Sequence, residues 1–284
     1  MKALPALLVT LGFSALGLVA CRDSTTMVEA PAVSAPELAM IGANLLEGLG
    51  NHRFSVTSTH PEVQRWFDQG LMLTYGFNHD AAERSFLKAT ELDPSCAMCW
   101  WGASLVLGPH VNAGMEPADA ADAWSRLQRA RQLAPGASER EQAFITALSA
   151  RYAEQPPEDR RPLDEAYAAA TRELVKQRPD DLDAAVFHAE AMMDLQPWDY
   201  YDADLQPKGH TAEVVQVLES VMARNPDHAG ALHLYVHAVE ASADPQRGAV
   251  AADRLRELIP GSGHLVHMPA HIYARVGRWH DAVI

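Results

Sequence analysis

The chain has 284 residues, 48% of them hydrophobic, and a formal net charge of −14. That is enough apolar material for a sizeable core. The acidic balance argues against nucleic acid as a partner, which needs a basic patch, and against electrostatic docking on anionic lipid.

Residues 1–20 read as a signal peptide rather than part of the fold. Lys2 is a short basic start, and Ala3 to Ala20 is apolar and uncharged. Leu18-Val19-Ala20-Cys21 resembles the bacterial lipobox, which implies lipidation of Cys21; an ordinary secretory signal and a single membrane anchor are the other readings. Arg22 in place of Asp after that cysteine implies, by the same resemblance, the outer membrane. Residues 21–36, rich in Ala, Ser, Thr and Pro, form a flexible tether. The expected setting is the periplasmic side of the bacterial outer membrane, with the body reaching the membrane through its lipid alone.

Residues 37–60 are expected as an N-terminal helix, with Leu38, Ile41, Leu45 and Leu46 on one side, followed by a loop from Asn51. From residue 61 the pattern becomes repetitive. Trp66, Gly70, Ala82, Phe86, Ala89 and Pro94 fall at the spacings of the tetratricopeptide signature, with Leu73 where an aromatic is usual. Small residues at 70, 82 and 89 let two antiparallel helices approach, Trp66 and Phe86 fill the gaps, and Pro94 stops the second helix. The resemblance implies an all-α solenoid of helix–turn–helix units, a right-handed superhelix over residues 61–284.

Later units are marked by their terminal prolines. Pro94 to Pro135 is 41 residues, Pro135 to Pro179 is 44, Pro179 to Pro226 is 47 and Pro226 to Pro260 is 34. The excess over the 34-residue period falls in three turn-rich segments, Gly108–Pro117, Gln155–Pro162 and Gln196–Gly209. Insertions in a solenoid map to loops on one face, often near the binding surface. Pro197-Trp198-Asp199-Tyr200-Tyr201-Asp202 reads either as a lid over the groove or as a loop that packs its own aromatics. Cys96 and Cys99 lack a partner pair for zinc and a following histidine for haem, so they read as small core residues or a local disulfide. The last unit, begun near His264, breaks off in its second helix, as expected of a piece of a longer protein.

Histidine is what separates this chain from a generic repeat. Seven of its 13 histidines lie between His228 and His280. His233 and His237 recur 34 residues later as His267 and His271. Each pair is four apart and shares one helical face, on the first helix of its unit, which lines the concave groove in the tetratricopeptide fold. Glu240 falls on the same side as His237, and Glu190 occupies the equivalent of His237 one unit earlier. Pro269 is expected to start its helix, leaving His264 on the entering loop. His188, His210, His228 and His280 read as surface or internally satisfied residues, and His79 and His110 as turn residues with capping roles.

Beyond the generic repeat, the chain resembles a group of bacterial histidine-rich tetratricopeptide lipoproteins. The resemblance rests on Phe77-Asn78-His79-Asp80, Leu92-Asp93-Pro94-Ser95-Cys96-Ala97-Met98, Leu107-Gly108-Pro109, Pro197-Trp198-Asp199-Tyr200, His233–Glu240 and Gly263–Gly277. It implies an architecture and a histidine-lined site, not a reaction. Two function classes follow. One is a scaffold with a peptide or protein segment in the groove. The other is a transition-metal centre (copper, zinc or iron) held by His233, His237, His267, His271 and Glu240. If that centre is catalytic, as in an oxidoreductase or hydrolase, Glu190 and Glu240 are the candidate bases. A nucleophilic triad finds no suitably placed serine or cysteine, and Leu234 after His233 excludes the metalloprotease His-Glu-x-x-His motif.

Overall fold

Local sequence decides where helices begin and end. Asn78 accepts the Ala81 N–H and Asp181 the Ala184 N–H, each as an N-cap. Ser138 and Glu141 form a reciprocal capping box. At the other ends, Asp93, Arg178, Asn225 and Ile259 all leave the helical region, with φ between −140° and −130°. Each precedes a proline, whose ring disfavours the helical conformation at the residue before it.

The computed structural model describes residues 44–283. The signal peptide, Cys21, the tether and most of the expected N-terminal helix lie outside the described residues. The described chain is all-α. Its helices are α1 (Val63–Tyr75), α2 (His79–Leu92), α3 (Ala97–Leu105), α4 (Ala120–Leu133), α5 (Glu139–Leu148), α6 (Arg161–Gln177) and α7 (Leu182–Asp194). They continue with α8 (Thr211–Arg224), α9 (Ala229–Val239), α10 (Ala249–Leu258), α11 (Gly263–His267), α12 (Pro269–Arg275) and α13 (Trp279–Ala282). None is long and apolar enough to cross a membrane.

Consecutive helices pack as antiparallel hairpins, α1 with α2, α3 with α4, and so on to α9 with α10. The first helices of the hairpins also touch one another. α1 meets α3, α3 meets α5, α7 meets α9, and α9 returns to α1. Phe144 of α5 and Phe187 of α7 bridge the remaining step, with ring centroids 6.1 Å apart. The inner helices therefore close into a ring. Two glycines permit the close approaches. A Cβ on Gly70 would stand 2.7 Å from the Phe86 ring within the first hairpin, and one on Gly230 would stand 2.7 Å from the Tyr75 ring where α9 meets α1.

The ring is filled rather than hollow. Phe54, Phe67, Trp101, Phe144 and Phe187 are buried and pack on one another at centroid separations of 5.0–6.5 Å. Phe54 comes from residues 44–60, which are not helical even over 44–49, where the end of a helix is expected. Gly48 and Gly50 adopt φ of +75°, and Gly48 accepts a hydrogen bond from Gly261 N at 2.8 Å. This non-helical strap then reaches Gln69, Asp68 and Glu141 in turn. Truncating Phe54 to alanine would cost about 3–5 kcal/mol, the usual figure for a buried phenylalanine. Cys96 and Cys99, both fully buried at the start of α3, are joined as a disulfide.

Candidate metal centre

α9 is capped by His228 and carries His233 and His237 one turn apart on its inner face, both buried. Ring closure brings the C-terminal end of α1 beside them. His233 Nδ1 lies 2.6 Å from the Tyr75 carbonyl oxygen. A carbonyl only accepts, so Nδ1 carries the proton and Nε2 presents a bare lone pair to the interior. A metal-ligating histidine is held by the same kind of outer contact.

Two further nitrogens face that lone pair. His237 Nε2 is 3.1 Å from it and His264 Nε2 is 3.0 Å from it. One lone pair cannot serve two donors well. If His237 gives its Nε2 proton to His233, it turns a bare Nδ1 toward Glu240 Oε1, 3.6 Å away. If the proton sits on Nδ1, two lone pairs oppose each other across 3.1 Å. His237 Nδ1 and Glu240 Oε1 are in fact buried without a hydrogen-bond partner. Protons therefore leave part of the group unsatisfied, whereas one cation would satisfy all three nitrogens. Two nitrogens bonded to one ion at about 2.0–2.1 Å, at a tetrahedral angle, stand roughly 3.3 Å apart. His233, His237 and His264 can thus hold a metal ion, their ligand atoms all lying within 4.8 Å of one another. Burial pushes His233 well below its ordinary value, pushes His264 to about 4, and lowers His237 against the pull of Glu240. All three imidazoles are neutral near pH 7, as ligands must be.

The four histidines expected to share one ion are divided between two places. His267 and His271 pair with each other, Nε2 to Nε2 at 2.9 Å. Glu240 stands between the groups, with Oε2 2.7 Å from His271 Nδ1. The third nitrogen of the first group belongs to His264, which the sequence reading leaves on a loop. The helix in fact starts at Gly263, six residues before Pro269, because a proline is tolerated where helical turns α11 and α12 meet. A His264–His267 spacing of three was the available signal. Glu190 is not among the imidazoles. Burial pushes its carboxyl up to about 7 against the pull of Arg151, and it shares that surrounding with Asp194.

Aromatic walls complete the site. Phe77 lies 4.5 Å from His233 and 5.6 Å from His264, centroid to centroid. Trp198 meets His237 edge-on at 5.2 Å. Both residues have positive φ, 53° and 63°. Left-handed backbone at a bulky residue costs on the order of 1–3 kcal/mol and collects at functional sites. All three insertions converge nearby. His110 and Asn112 from the first, Arg160 from the second, and Pro197 and Trp198 from the third line one cleft of about 320 Å³. The Trp198 segment both packs inward, through buried Tyr200, and leaves its indole 55% exposed at the cleft.

A second group, His52, Asp183 and His228, has comparable spacing but different chemistry. Asp183 Oδ1 accepts from Tyr75 Oη at 2.7 Å and His52 Nε2 at 2.8 Å, and Oδ2 accepts from Arg140 Nη2 at 2.9 Å. His228 uses Nδ1 to cap α9 by accepting the Ala231 N–H, so its proton sits on Nε2, 3.4 Å from Asp183 Oδ1. Neither imidazole turns a lone pair toward the carboxylate. Burial alone would raise Asp183, but the polar contacts with His228 and His52 hold it well below the usual carboxylate range. This group is a knot that ties the strap, α1, α5, α7 and α9 together.

No protein-family model matches the chain, and no curated protein matches it.

Proposed function

We propose that the chain is a lipid-anchored tetratricopeptide-type protein of the bacterial envelope that holds a transition-metal ion on His233, His237 and His264. The closed succession of helical hairpins supports the repeat reading, with a right-handed superhelix as its expected sense. The lipobox-like Leu18–Cys21 supports the anchor at the periplasmic side of the outer membrane. One observation carries the metal reading. The Tyr75 carbonyl fixes the His233 proton on Nδ1, and so aims a lone pair at two more imidazole nitrogens 3.0 and 3.1 Å away.

Imidazole donors suit zinc, copper or iron. Three protein ligands leave a position for water or a substrate atom, the arrangement of catalytic rather than structural sites. A metal-dependent hydrolase or oxidoreductase is the activity that such a centre supports, with substrate entering by the cleft under Trp198 and Glu240 orienting His237 from behind. The alternative, a scaffold holding a peptide between the inner helices, would require that segment to displace Phe54, Trp101, Phe144 and Phe187.

The test is metal binding by protein prepared without a histidine tag, stripped with chelator and re-equilibrated with zinc or copper. Wild type should retain a tightly bound ion through gel filtration. The double variant His237→Ala/His264→Ala should lose it while keeping its far-ultraviolet circular dichroism. A tight ion that survives in the double variant would refute the site.

A further inference from the structure

Glu240 faces two imidazoles, and the first site accounts for only one of them, His237; His271 is left without an assigned role. Glu240 is only 7% exposed, and its ion-pair contacts among the described residues are His237 and His271. A buried carboxylate is costly unless positive charge compensates it. If both imidazoles are neutral, that charge has to reach Glu240 through them. A metal ion on the far nitrogen of an imidazole does this by polarising the Nδ1–H toward the carboxylate.

The geometry behind His271 repeats that behind His233. Its Nδ1 points at an acceptor oxygen, Glu240 Oε2 at 2.7 Å, so its Nε2 turns a lone pair outward, and His267 Nε2 lies 2.9 Å from it. His267 is exposed and His271 is partly so, which leaves water free to complete a coordination shell. The His267 ring stands 6.3 Å from that of His264, so the pair lies beside the first group without merging with it. We propose that His267 and His271 hold a second transition-metal ion, with Glu240 as the carboxylate shared behind both centres. The second ion has its own two ligands and does not depend on occupancy of the first. The simpler alternative is an imidazolium at His271 paired with Glu240, which needs no ion.

Titration of the stripped, untagged full chain with zinc, followed calorimetrically, separates these cases. Wild type should take up two ions, the second at least tenfold more weakly because it has fewer protein ligands. His267→Gln/His271→Gln should remove only the weaker event. His237→Ala/His264→Ala should remove only the stronger. Glu240→Gln should keep both while weakening each about 10–100-fold, as loss of an outer-shell partner does. A single wild-type event that survives His267→Gln/His271→Gln would overturn the second ion and leave the first intact. A single event abolished by either double variant would overturn it in favour of one four-imidazole centre. Persistence of the weaker event in His237→Ala/His264→Ala, with no stronger event in wild type, would uphold the second site and refute the first.

Discussion

Two groups of buried imidazoles sit at opposite treatments of the same problem. In the His52–Asp183–His228 knot, a cation, Arg140, balances the carboxylate, His52 and Tyr75 hydrogen-bond to it, and only His228 Nε2, 3.4 Å from Asp183 Oδ1, is buried without a hydrogen-bond partner. In the His233–His237–His264 group, three nitrogens face inward with too few protons to share, and Glu240 has no cationic side chain of lysine or arginine among its ion-pair contacts. Ligand-atom spacing alone does not distinguish them. What does is where the second nitrogen of each ring is spent. In the knot His228 spends Nδ1 on capping a helix, and in the site His233 spends Nδ1–H on a carbonyl. The first choice closes a ring to metal, and the second opens it.

The comparison breaks most visibly through stability. Asp183→Ala should cost about 3–5 kcal/mol, the range for removing one partner of a buried, charged network. Urea unfolding of the metal-free protein measures it, and metal stoichiometry without denaturant should stay that of wild type. A loss under about 1 kcal/mol would mean that the knot does not hold the ring. His237→Leu tests the other group. It should abolish the stronger metal event yet leave metal-free stability within about 1 kcal/mol of wild type, since it removes a buried, unsatisfied nitrogen along with the ligand. A penalty as large as that of Asp183→Ala would make the imidazoles structural.

The smallest effects are in pH dependence, where the two groups should act on opposite sides of 6.5. Burial lowers His264 to about 4, so between there and 6.5 the unfolded chain binds a proton that the folded chain refuses. Stability then falls as pH falls, and His264→Asn should flatten that acid limb by up to one proton. His52 behaves inversely. Burial lowers it, but the Asp183 hydrogen bond and charge raise it further, so its folded value lies above the ordinary one. Its contribution is complete below 6.5 and fades as pH rises through the folded value. His52→Asn should therefore remove a decline just above 6.5 and leave the acid limb alone. Unfolding midpoints of chelator-treated protein from pH 4.5 to 8 would check both.

The helical hairpins were legible because their signals are local: prolines that end the units, and small residues at 70, 82 and 89 with Phe86 filling the gap between two helices. The recurrence of His233 and His237 at His267 and His271 was legible for the same reason. The way those residues are shared out was not. Whether His264 or His267 joins His233 depends on where α11 starts, and Pro269 pointed to the wrong residue. Phe77 and Trp198 gave no sign of their left-handed backbone, which neighbours impose on them. The knot was invisible, because His52, Tyr75, Arg140, Asp183 and His228 come from five separate segments that meet only on closure. His228 read as a bland histidine, but its Nδ1 caps a helix at the centre of that closure and its Nε2 lies beside Asp183.

The contact between Tyr75 and His233 joins residues 158 positions apart. Contacts of such sequence separation raise the contact order of the chain, which slows folding. The outer partner that sets His233's proton is therefore missing until the first and fifth hairpins have met. A chain emerging from synthesis would carry its histidines before it carries their assembled geometry. On the proposed reading, the fixed geometry that a metal ion needs would therefore arise only with closure of the ring.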